Sequence, residues 1–188
     1  MKKIIYISLL MSTLGAEEKL ATFGGGCFWC MEAAFQPLKG VESAESGHMV
    51  GKPSAANYKD VSRGNSGHYE VVQVKYDSEI ISFKELLEIF WKNIDPTDQQ
   101  GQFADKGAQY RTVIFYKDTK EKEEAILSKN RLDASGKFDS PIATKIKPVK
   151  EFFRAQEYHQ DYFKKNALHY QLYKRGSGRE DYINKTWK

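Results

Sequence analysis

The sequence predicts an α/β (α+β) two-layer sandwich: a mixed sheet with a β-α-β-β-α-β core, flanked by helices and followed by an irregular C-terminal tail. Three observations lead there. Strand-like and helix-like segments alternate along the chain, the pattern of a sheet covered by helices. The stretch "SFKELLEIFWKNI" carries one continuous helical apolar stripe, which needs a sheet or another helix to cover it. A length of 188 residues, 40% of them hydrophobic, fits one globular domain and leaves little room for a second.

The elements follow in order. Leu20 to Gly24 reads as a short strand running into three glycines, and Phe28 to Leu38 as a helix with Pro37 near its end. Val41 to Val50 is a weakly signalled strand. His68 to Tyr76, "HYEVVQVKY", is a clear one, β-branched and aromatic. In the helix Ser82 to Ile94, residues Phe83, Leu86, Leu87, Phe90, Trp91 and Ile94 repeat at helical spacing. Ser82 and Glu85 form its capping-box pair, and Asp95-Pro96 ends it. A long polar loop leads to a strand at Tyr110 to Tyr116. A surface helix at Lys120 to Leu132, a strand at Thr144 to Val149 and a helix at Phe152 to Lys165 complete the set. The tail after Asn166, with Gly176 and Gly178, reads as irregular.

Residues 1–16 read as a secretory signal peptide: Lys2 and Lys3, an apolar run from Ile4 to Leu14, then small Gly15 and Ala16. The run is too short for a lasting membrane anchor. Residues 17–188 form a single domain that is periplasmic or secreted after cleavage, an oxidising setting in which a close cysteine pair persists as a disulfide. A first strand or an uncleaved anchor is the other reading of that run. The formal charge of +4 is scattered, which argues for a solvated surface and against nucleic acid as partner.

The chemistry concentrates in "FGGGCFWCMEAAF". Three glycines allow a sharp strand-to-helix turn. Cys27 then falls at the head of a helix, where unpaired N–H groups and the dipole favour a thiolate and predict a lowered pKa. Cys30 lies one turn later, within disulfide reach. A reactive nucleophile, a thioredoxin-like redox carrier, and structural or metal use of the pair all fit this spacing. Phe28 and Trp29 between the thiols suit an apolar ligand pocket better than the docking of a partner disulfide. No second cysteine pair or close histidine pair suggests zinc.

Glu70 shares a strand face with Val72, Val74 and Tyr76. If helices cover that face, desolvation raises its pKa and makes it a general acid; otherwise it is an exposed strand-end glutamate. The loop "DPTDQQGQFADKGAQYR" offers Asp105, Tyr110 and Arg111, and long loops of this kind carry function on rigid scaffolds.

Taken together, "GCFWC", "GHYEVVQVKYD", "DPTDQQGQFADKGAQYR" and "EYHQDYFKKN" resemble the type A peptide-methionine sulfoxide reductases, in order from about Leu20 to Trp187. The resemblance implies a mixed α/β sandwich with no metal and no bound cofactor. It implies Cys27 as nucleophile, Phe28 and Trp29 as the grip on the substrate S-methyl group, Glu70 as proton donor to the sulfoxide oxygen, and Asp105 and Tyr110 as pocket residues. It also implies preference for the S epimer. The family's G-Y-x-G-G is here "GHMVG". His48 therefore stands where a substrate-binding tyrosine is expected and Val50 where a glycine is, which predicts a slower enzyme or one sensitive to pH near 6–7.

Many relatives carry a resolving cysteine in the C-terminal tail, and this tail has none. The resemblance then implies a Cys27–Cys30 disulfide recycled by a thioredoxin-like external thiol, or direct reduction of a Cys27 sulfenic acid. The enzyme would repair oxidised methionine, free or in proteins, as a monomer. A secreted thiol–disulfide exchange protein and a binding module for oxidised peptides are the rival functions.

Overall fold

The computed structural model describes residues 17–187; the signal segment expected over residues 1–16 lies outside them. In chain order the elements are β1 (Glu18–Gly24), α1 (Phe28–Phe35), β2 (Val41–Met49), α2 (Tyr58–Ser62), β3 (Tyr69–Asp77), α3 (Phe83–Lys92), β4 (Gly101–Gln102) and β5 (Asp105–Lys106). There follow β6 (Val113–Tyr116), α4 (Thr119–Ala134), β7 (Lys145–Pro148), β8 (Phe152–Arg154), α5 (Tyr162–Lys165), α6 (Ala167–Gly176) and α7 (Arg179–Thr186). Six strands form one mixed sheet in the order β7-β6-β1-β3-β2-β8, and β4-β5 is a separate two-stranded ribbon. All neighbours are antiparallel except β6 and β7. A parallel pair needs a crossover, and α4 supplies it. This is the α/β class that the alternating pattern predicts.

The main core lies between the sheet and its helices. Phe23 of β1 stacks on Phe35 of α1 and on Phe83 and Phe90 of α3, with ring centroids 5.0, 6.0 and 5.4 Å away. The α3 stripe buries Phe83, Leu86, Leu87, Phe90 and Trp91, and both halves of the Ser82–Glu85 capping box form. Burial of each large apolar side chain contributes roughly 1.5–3 kcal/mol. A smaller cluster of Met49, Tyr69, Val71, Val113 and Phe115 packs separately, with Phe152 against it.

Two segments differ from the sequence reading. The helix expected over Phe152 to Lys165 is instead strand β8, a 3-10 turn at Glu157–His159 and the single turn α5. The cause is long-range. β2 has an open edge, and β8 pairs along it with His48 opposite Phe153 and Met49 opposite Phe152. Gly47 lacks the Cβ that would meet the Phe152 ring at 2.3 Å, so that ring can lie on the edge. The expected irregular tail is two helices, α6 and α7, hinged at Gly178 with φ 81°. The two glycines mark the hinge, not an absence of structure.

Candidate active site

The site begins at the turn from β1 into α1. Gly26 has φ 83°, and a Cβ there would sit 2.5 Å from Gln102 Cβ and 2.8 Å from Arg179 Nη2. Only glycine meets both demands. Cys27 is the N-cap of α1, and its carbonyl accepts the backbone N–H of Cys30 at 3.1 Å. The first free donor of the helix, the Phe28 N–H, points to Glu70 Oε2 at 3.1 Å.

That bond changes the expected electrostatics. The helix head serves the carboxyl of Glu70, and the Cys27 thiol, 6% exposed, does not have its pKa lowered. Burial pushes Cys27 well above the usual thiol value, helped by its hydrogen bond to Cys30. Cys30 accepts that bond and is lowered to about 7, with the charge of Arg179 assisting against burial. The two thiols thus share one proton, and the first ionisation of the pair falls near neutrality.

Glu70 projects from β3 into the same space and is 2% exposed. Burial raises its carboxyl to about 8 in spite of the Phe28 N–H, which favours the anion; nearby Asp105 adds to the rise. At pH 7 this side chain carries its proton.

A cavity of about 100 Å³ is lined by Cys27, Phe28, Trp29, Tyr58, Glu70, Asp105, Tyr110 and Tyr173. Six of these are residues the sequence singles out. Asp105 stands on the β4–β5 ribbon and Tyr110 on a 3-10 turn just before β6. Asp105 is raised by burial and accepts a short hydrogen bond from the Tyr173 hydroxyl. Burial also raises Tyr58, Tyr110 and Tyr173, so all three remain phenols that donate. A larger groove of about 380 Å³ between α3 and α4 contains no cysteine or histidine.

Two expected residues lie outside the cavity wall. Cys30 sits behind Cys27 in a buried cluster with Tyr170, against Trp29, Tyr162 and Tyr173. His48 is paired across the strands with Glu70, but it is fully buried behind Phe28, with ring centroids 5.8 Å apart, and faces His68. Burial and the neighbouring His68 and His159 lower it to about 4, below the pH 6–7 range expected from the sequence. Tyr58, at the start of α2, lines the cavity in place of the side chain expected there from position 48. Val50 takes φ 91°, which accounts for the glycine in the pattern it departs from.

The sequence reading did not single out Tyr58, Tyr173 or Arg179. Arg179 is 1% exposed and donates to Gly25 O at 2.9 Å and Asn93 O at 2.6 Å, with its guanidinium 4.6 Å over Phe103. It holds the glycine turn from beneath. The run "GSGR" was the available signal, set in a tail that reads as irregular. Among the described residues no group of three or more His, Cys, Asp or Glu side chains is placed to hold a metal ion.

A paired thiol at a helix head, facing a protonated buried acid across a cavity walled by aromatics, defines a thiol-dependent oxidoreductase for a small, partly apolar substrate. Comparison with known proteins narrows this. The family model described as peptide methionine sulfoxide reductase matches residues 19–188, and the chain belongs to that family. It is 45% identical over 170 residues to peptide methionine sulfoxide reductase MsrA 2 of Staphylococcus aureus strain MRSA252, covering 90% of this chain and 96% of that one. Against MsrA of Bacillus subtilis strain 168 it is 44% identical over 174 residues, 93% and 98% of the two chains.

Among solved structures, reduced Mxr1 from Saccharomyces cerevisiae superposes with TM-score 0.75 at 33% identity, covering 85% of this chain and 93% of that one. Methionine sulfoxide reductase A of Corynebacterium diphtheriae gives 0.71 at 29%, with 80% and 76% covered. Mxr1 in complex with Trx2 gives 0.53 at 22%, with 80% and 91% covered, a likeness of fold. This chain is a peptide-methionine sulfoxide reductase.

Proposed function

We propose that the protein reduces the S epimer of methionine sulfoxide, free or in proteins, by attack of the Cys27 thiolate on the sulfoxide sulfur. The observation that carries this reading is the meeting of Cys27, the protonated Glu70 carboxyl, Phe28 and Trp29 on one cavity of about 100 Å³. A sulfoxide sulfur is a poor electrophile until its oxygen is protonated or hydrogen-bonded. Glu70 gives its proton to that oxygen while Tyr58 and Tyr110 donate to it. Phe28 and Trp29 receive the methyl group.

Once the thiol pair has lost its one labile proton, the remaining proton passes from Cys27 to Cys30 along their shared hydrogen bond, and Cys27 attacks. Oxygen moves to Cys27 as the sulfenic acid, methionine leaves as the reduced thioether, and Glu70 remains as carboxylate. Cys30 then displaces hydroxide from the sulfenic sulfur, giving water and the Cys27–Cys30 disulfide. Two electrons from an external dithiol reopen it; we propose a thioredoxin-like protein, in keeping with the complex that yeast Mxr1 forms with Trx2. The working form is a periplasmic or secreted monomer of residues 17–188.

The rival reading, protein thiol–disulfide exchange, gives no task to the protonated Glu70 carboxyl or to the Phe28 and Trp29 wall that share the cavity with Cys27.

The test is to mix reduced protein with each epimer, without reductant, and to count methionine and weigh the intact chain. One methionine per chain from one epimer, with loss of two hydrogens, is the expected result. Methionine with one added oxygen retained removes Cys30 from the cycle. No methionine from either epimer refutes the reductase mechanism.

A further inference from the structure

The run "EYHQDYF" is part of the family resemblance, yet none of its residues lines the cavity. Its geometry nonetheless converges on one cavity residue. The Trp29 indole donates from Nε1 to His159 Nδ1 at 3.2 Å. Its face lies on Tyr162, with centroids 3.8 Å apart and planes 8° from parallel. One side chain is thereby fixed at its edge and on its face by two residues three apart in sequence.

The run is itself anchored on both sides. Gln160 accepts the Ser46 N–H at 2.9 Å and donates to Ser46 O at 2.8 Å, which fastens it to β2. The Glu32 carboxylate accepts the Asp161 N–H at 2.5 Å and the Ser46 hydroxyl at 2.6 Å, which fastens it to α1. His159 is 1% exposed, and its ring also lies 5.0 Å from Phe28 and 4.3 Å from Tyr58.

We propose that His159 is a positioning residue: it accepts the Trp29 indole N–H and so holds the substrate-methyl wall in its binding orientation before substrate arrives. This rests on the reading of Trp29 as part of that wall.

The chemistry of the imidazole fits the task. Nδ1 accepts, so the proton is on Nε2, and a protonated ring would set one N–H against another. Burial lowers His159 to about 4, which leaves the acceptor tautomer in place throughout the neutral range. Without the clamp, the indole must be ordered at the moment of binding, a cost that appears in substrate affinity before it appears in chemistry. A single neutral hydrogen bond corresponds to about a fivefold change.

The experiment measures KM and kcat for methionine sulfoxide, with dithiothreitol as reductant, in His159→Phe, His159→Asn, Trp29→Phe and the double variant His159→Phe/Trp29→Phe. The expected result is a KM about fivefold higher in His159→Phe with a smaller change in kcat. Asn, whose amide oxygen falls near the position of Nδ1, should recover most of it. The double variant should match Trp29→Phe alone.

A fivefold effect that persists in the Trp29→Phe background overturns the proposal, because His159 would then act elsewhere. So does a His159→Asn variant as impaired as the phenylalanine one. A Trp29→Phe enzyme with unchanged KM overturns the wall reading itself. Should His159→Phe not fold, indole proton exchange in the unmodified protein decides. The Trp29 Nε1–H, assigned by its loss in Trp29→Phe, must exchange far more slowly than a free indole; exchange at the free rate refutes the clamp.

Discussion

Replacing Glu70 by glutamine should make the protein more stable and nearly inactive. In the unfolded chain this carboxyl ionises near 4.5; in the folded chain burial holds its proton until about pH 8. Below pH 4 both states carry the proton and it costs nothing. As pH rises from 4.5 towards 8, the unfolded chain gains an ionisation that the folded chain resists, and stability falls by about 1.4 kcal/mol per pH unit.

At pH 7.5 the penalty approaches about 4 kcal/mol by that slope. Glutamine removes it and can still accept the Phe28 N–H through its amide oxygen, although its NH₂ group needs partners of its own. The net gain should be about 2–4 kcal/mol at pH 7.5 and near zero at pH 4. Urea titrations of wild type and Glu70→Gln at both pH values measure it. Methionine release in a single turnover should fall by about 10²–10⁴-fold, the usual contribution of a general acid. A variant no more stable than wild type at pH 7.5, or equally stabilised at pH 4, refutes the reasoning from burial.

Cys30→Ser should slow the first turnover, because Cys27 loses the thiolate that takes its proton, and should retain one added oxygen on Cys27, read by intact mass; a first turnover as fast as wild type would remove Cys30 from the activation of Cys27. His48→Leu should gain stability relative to wild type as pH falls from 7.5 to 5, by roughly 2 kcal/mol at pH 5. His48 resists protonation down to about 4, whereas the unfolded chain takes up that proton near 6.5. An equal difference between the two proteins at both pH values would show that His48 titrates normally. Val50→Gly should raise the melting temperature, because Val50 is held at φ 91° at a cost of about 1–3 kcal/mol; thermal scans that show a loss would mean the valine side chain contributes more than its strain.

The legible part of the fold was the part whose signal is local. The α3 stripe, its capping box and the β-branched run of β3 each carry their own periodicity, and the glycines before Cys27 announce a turn. β8 was not legible because "FFR" is a strand only beside the open edge of β2, and α6 and α7 were masked by the two glycines near their junction. The site divides the same way. Cys27, Glu70, Asp105 and Tyr110 could be named from motif and face, but their electrostatics could not. The helix head favours Glu70 over the thiol because the strand brings that carboxyl within 3.1 Å of the Phe28 N–H, a distance that no spacing encodes. Tyr58 reaches the cavity from the five-residue helix α2, too short to carry a periodic signal of its own.

The Arg179 bond to Gly25 spans 154 residues of sequence, and it sets an order of events during synthesis. The thiol pair leaves the ribosome early, on β1 and α1, while the cation beneath its turn and the tyrosines that cover it lie in the last two helices. Until those helices emerge, the cysteines lack Tyr170 and Tyr173 as cover and Arg179 beneath their turn. The nascent chain is for that interval open to oxidants at both sulfurs, and the docking of α6 and α7 is the closing step that converts two vulnerable thiols into a protected pair.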